Sequence, residues 1–125
     1  MDDKLGRIAI APNVLVTIVQ KTAAAVAGVA ELSDAVPGVK RLLGLRTVGR
    51  GTQVDVVDDQ VYVDVFVVAR RDVALLQMGR EIQHEVARDI EHIVGMDVCE
   101  VNVHIEDIEF ETSQPDGVEK GQATR

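Results

Sequence analysis

The sequence predicts an α+β domain of two layers, with two helices packed on one face of a small mixed β-sheet. Three observations lead there. Two segments repeat apolar residues at helical spacing, while several Val-rich segments alternate with period two. A strand–helix–strand order closes the chain, and such a crossover sets its two strands parallel. The composition is aliphatic: 46% apolar residues, but no Trp, one Tyr and two Phe among 125 residues. That length suits one domain, and Val at this density favours strands.

Taken in order, "MDDK" is a charged start that we expect to be flexible, and "LGRIAIA" (residues 5–11) alternates as a first strand. Pro12 then suits a helix's first turn, where its missing N–H costs nothing. Leu15, Ile18, Val19, Thr22 and Val26 recur at helical spacing, and Gly28 is a natural stop. "VAELSDA" reads as a short strand. "VPGVKRLLGLRTVGRG" is punctuated by Pro37 and four glycines and reads as loop, with at most one helical turn. A hairpin follows: strand 52–57, a turn at Asp58–Asp59–Gln60, and strand 61–69. Val61, Val63, Val65 and Val67 share one face, which should lie under the helices. Tyr62, Asp64, Phe66 and Val68 share the other, where Tyr62, Phe66 and Val68 could form a contact patch.

A second helix is expected over residues 73–94, ending at Gly95, with Ile82, Val86, Ile90 and Ile93 as its buried stripe. In the last strand Cys99, Val101, Val103 and Ile105 should face the core. Ile108 and Phe110 have the opposite parity, so a bulge is expected near Glu106–Asp107. We take residues 5–111 as the domain and the polar stretch 112–125 as a disordered tail.

The formal net charge of −8 disfavours nucleic acid and anionic lipid as bulk partners. The charge is uneven. Residues 38–51 hold Lys40, Arg41, Arg46 and Arg50 and no acid; residues 97–111 hold six acids and no Lys or Arg. That asymmetry suits docking to another protein or to a second copy. With one cysteine, neither a disulfide framework nor a cysteine zinc cluster is expected. The acidic start is unlike a secretory signal, and the longest uncharged run is too short for a membrane span, so we expect a cytoplasmic protein.

The one stretch that invites a catalytic or metal reading is "EIQHEVARDIEHIVG", with His84 and His92 among acids. A zincin helix needs HExxH, but the position one turn beyond His84 is Arg88, a fixed cation that repels a metal. His92 lies two turns away, and the acids project from a convex helix rather than into a cleft. The stretch reads as the solvated side of an amphipathic helix. "GRG" at 49–51 is a bare GxG, better read as a turn entering a strand. Cys99 has no base to activate it, and His104 reads as a surface histidine. No nucleophile has a base, so no catalytic residue, cofactor or metal site is assigned.

Two stretches carry a family resemblance: "GRIAIAPNVLVTIVQKTAAAVAGVAEL" and "GREIQHEVARDIEHIVGMDVCEVNVHIEDIEF". With the Val-rich hairpin they resemble the alkaline-shock, or general-stress, family of Gram-positive bacteria, the envelope stress response proteins, over residues 5–110. The closing helix–Gly–VNV strand is its most specific part. One departure is Ala11, where the family usually has a Ser or Thr cap; this should weaken the helix start. The resemblance implies a non-enzymatic cytoplasmic protein that self-associates and reaches the inner membrane face through a small membrane-anchored partner.

The reading is therefore a scaffold acting through protein–protein contacts, as a homo-oligomer without nucleic acid and without inserting into the membrane. Its candidate contact surface is Lys40, Arg41, Arg46, Arg50, Tyr62, Phe66 and His104. The alternative is a small-ligand or metal-binding domain using Asn102 and His104 on the outer sheet face. An RNA-binding module ranks last, since the sheet lacks a basic aromatic platform.

Overall fold

A computed structural model describes residues 5–34 and 45–110 of the chain. The expected flexible start, the polar tail, Lys40 and Arg41 lie outside the described residues. The elements are α1 (Asn13–Ala25), β1 (Val29–Leu32), β2 (Leu45–Gly49), β3 (Thr52–Val57), β4 (Gln60–Arg70), α2 (Leu75–Asp89) and β5 (Asp97–Glu109). A π-type turn, Ile90–Val94, prolongs α2. The two-layer α+β reading holds: both helices lie on one face of the sheet and share a single aliphatic core with it.

β4 organises the sheet. Along one edge it pairs with β5 over its whole length, in parallel, as the strand–helix–strand order requires. Its other edge is divided between two antiparallel partners. β3 covers residues 60–65 and β1 covers residues 67–69. The handover falls at Phe66, whose N–H donates to the Gly51 carbonyl (2.8 Å) and whose carbonyl accepts from Ser33 N–H (2.8 Å). Gly51 is required there. It sits at φ +61°, and a Cβ would come within 2.9 Å of the Phe66 carbonyl oxygen. β2 pairs with β3 through the two-residue turn Arg50–Gly51.

The β3–β4 hairpin matches its sequence reading. Asp58 and Asp59 both have positive φ (51° and 66°), as a twist-matched two-residue turn demands. Val61, Val63, Val65 and Val67 are all buried under the helices, against Leu15, Val19 and Ala23 of α1 and Met78, Ile82 and Val86 of α2. Thr22 Oγ1 donates to Asp89 Oδ2 (2.8 Å) and ties the two helices together.

Five expectations are corrected. Residues 6–11 form no strand: the alternation is present, but no described strand pairs with them, and Ile8 is 93% exposed. Residues 45–49, read as loop, are β2; five residues around Arg46 give little periodicity, and the pairing with β3 is a tertiary choice. Ile93 does not join the buried stripe and is 64% exposed. The π-type turn inserts one residue, marked by Gly95 N–H reaching the Ile90 carbonyl (3.2 Å), and this hands the next inward position to Val94. Cys99 is exposed rather than in the core, because the β4–β5 register shifts there: Val61 faces Val98 but Tyr62 faces Glu100. Phe66 is buried, as described below. The second shift, between Val67/Ile105 and Val68/Asp107, is the bulge expected from the parity change.

The N-cap position of α1 falls on Pro12, not on Ala11 as expected, and it makes no side-chain cap hydrogen bond. The first turn instead tightens, with Val14 and Leu15 N–H donating to the Ala11 and Pro12 carbonyls.

Candidate functional site: the outer face of the sheet

The face turned away from the helices gathers most of the described sequence candidates. Register sets two rungs across β2, β3, β4 and β5. One runs Arg46, Asp55, Tyr62, Glu100; the next runs Val48, Gln53, Asp64, Asn102. Phe66 stands beside His104 one step further along.

These polar groups are engaged with one another. Arg46 Nε donates to Asp55 Oδ1 (2.9 Å), and Gln53 Nε2 donates to Asp55 Oδ2 (3.3 Å). His104 Nε2 lies 3.0 Å from Asp64 Oδ1, and its ring stacks on Phe66 with centroids 4.3 Å apart and planes 11° apart. Asn102 donates to Glu100 (3.1 Å). Gln53, Asp55 and Asp64 are all buried; Asp64 is 1% exposed. Buried carboxylates are stable only when partnered, so the pairs are a condition of this face existing.

Phe66 is 1% exposed. It supports the His104 ring from beneath and offers no contact surface of its own, contrary to the sequence reading. The alternating pattern identified its face but could not foresee that a histidine on β5 would roof it. Arg50 pairs with Asp34 (3.1 Å) and Glu31 (3.6 Å) and accepts at its own carbonyl from Gln20. Of the four cations in the basic stretch, the two described ones are thus held by acids of their own chain. The sequence reading missed Gln53 and Asp55, whose signal was an acid and an amide inside a Val-rich strand.

His84 and Arg88 lie on the exposed side of α2, and Arg88 pairs with Glu85 and Asp89. Among the described residues no group of three or more His, Cys, Asp or Glu is placed to hold a metal ion. Among them, too, no helix is long and apolar enough to cross a membrane.

The fold resembles that of MamM CTD in its copper form, at 12% identity over 86% of this chain and 94% of that one, with a TM-score of 0.55. A doubly substituted MamM CTD is similar at 12% identity over 90% and 99% of the two chains, with a TM-score of 0.50. At such identities the likeness concerns the fold alone. In sequence the chain is 31% identical over 112 residues to YqhY, an uncharacterized protein of Bacillus subtilis (strain 168), covering 89% of this chain and 83% of the relative. A family model with a cell envelope-related function matches residues 1–110, and the chain belongs to that family, the alkaline shock protein 23 family.

Proposed function

We propose that this protein is a non-enzymatic scaffold of the cell envelope stress response, acting through protein–protein contacts on the cytoplasmic side. It would reach the inner membrane face through a small membrane-anchored partner. Membership of a family with a cell envelope-related function supports the setting. The observation that carries the scaffold reading is the outer sheet face. Its acids, amides and histidine are committed to fixed mutual pairs, which suits a preformed recognition surface better than a reactive cleft. Half-buried Tyr62, Arg46 and the acids of β5 give that surface both hydrophobic and charged features.

The test is recovery of the protein from gently detergent-solubilised native cells, with mass-spectrometric identification and sizing of the complex. A small membrane protein in fixed ratio, which then rebinds the purified chain, or a large self-assembly is the expected result. A lone monomer carrying a stoichiometric small molecule or metal would overturn the scaffold reading in favour of ligand binding.

A further inference from the structure

Two features of the fold lack a counterpart among the described residues. The first is residues 6–11. They form neither helix nor strand, lead into α1, and are exposed throughout, with Ile8 (93%) and Ile10 (50%) on one parity of the sequence and Arg7 and Ala9 on the other. Alternation of this kind is a strand's pattern, and a strand needs an edge. The second is the free side of β5. Among the described residues β5 pairs only with β4. One of its main-chain carbonyls, Val101, takes its donor from a side chain, Gln83 (3.1 Å), and not from a further strand.

Beside that edge, between α2 and β5, lies a groove of about 240 Å³ lined by Leu75, Leu76, Gly79, Arg80, Gln83, Val103 and Ile105, so that its one charged wall is a cation and its floor is aliphatic. Leu76 is 75% exposed at its rim. A Cβ on Gly79 would meet nothing within 4 Å, so the packing of this chain does not require a glycine there. A strand added to β5 would point alternate side chains into this groove and the others toward the outer face. We infer that residues 6–11 of a second copy of this chain occupy it: Ile8 and Ile10 fill the groove, and Arg7 faces the acids of β5.

Reach decides that the arm comes from another copy. The helices run in opposite directions, since Thr22 meets Asp89 while Gly28, just past α1, lies against Met78. The start of α1 is therefore displaced from the Thr22–Asp89 contact by about 14 Å in one direction, and Gly79 by about 15 Å in the other. Ile8 precedes α1 by five residues, which span at most about 18 Å, well short of the nearly 30 Å needed. Charge agrees. Residues 5–11 carry Arg7 and no acid, while β5 carries five acids and no Lys or Arg. The arrangement is strand addition to an open edge, with main-chain bonds for affinity and pockets for specificity.

This inference rests on the scaffold reading and names the contact by which copies would join. It is tested on the full chain by light scattering across a concentration series, comparing wild type with Ile8→Asp/Ile10→Asp and with Gly79→Trp. Both arm residues are exposed, so the first variant should fold as wild type does, checked by circular dichroism. The expected result is a self-associating wild type and a weakening of about a hundredfold or more in each variant. In a Cys99→Ser background, Ile8→Cys chains mixed with Leu76→Cys chains should form a disulfide-linked pair. Mixing with His84→Cys chains should not. A wild type that stays monomeric, variants of unchanged association, or equal cross-linking to both sites would overturn the arm exchange. If the arm variants still associate, or still recover the membrane partner, the scaffold reading survives and only the arm falls.

Discussion

The two faces of the sheet are closed by opposite means. On the helix side, Val61, Val63, Val65 and Val67 pack into an aliphatic cluster, where a well-sized apolar side chain would serve. On the outer side, Gln53, Asp55 and Asp64 are just as far from water, but each needs a particular partner in a particular place. The first face depends on volume, the second on pairing. A dry face tolerates repacking yet reacts strongly to a cavity, whereas a paired face reacts to the loss of a single donor or acceptor.

The contrast would break first at Ile82, which is fully buried between the helices and sheet. Ile82→Ala should cost about 2–5 kcal/mol in urea denaturation. On the outer face, Asp64→Ala should cost about 1–3 kcal/mol, since it strips the His104 imidazole of its carboxylate. Asp64→Asn, which keeps an acceptor, should cost less. A loss at Asp64 matching that at Ile82 would mean that the outer face is a second core and not a recognition surface.

His104→Ala removes the lid from Phe66 and should cost about 1 kcal/mol. His104→Phe restores the stack but not the hydrogen bond, so the difference between the two variants divides the effect. The smallest pair of effects tests the π-type turn. Val94→Ala should destabilise by about 0.5–1.5 kcal/mol, while Ile93→Ala should change thermal stability by less than about 0.5 kcal/mol. A larger effect at Ile93 would mean that the helix continues as a regular α-helix to its end.

Much of this architecture is legible in the residues alone. The hairpin can be read from alternation and from a two-Asp turn, and the β5 bulge from the parity of Ile105 against Ile108. The wet side of α2 follows from a wheel. Two of the misreadings share a cause. Ile93 and Cys99 each lie next to an inserted residue, and a single insertion reverses a pattern that is otherwise correct. β2 is too short to announce itself, and residues 6–11 have the pattern of a strand without a described edge to join.

The two-layer class, the aliphatic core and the solvated helix face all follow from the amino-acid order, because each depends on the spacing of apolar residues along one segment. Three-dimensional packing was needed to put Phe66 under His104, to join Arg46 to Asp55, and to divide one edge of β4 between β3 and β1. Each of these joins residues from different strands, and strand register is set by the packing of the whole sheet, not by any one strand's pattern.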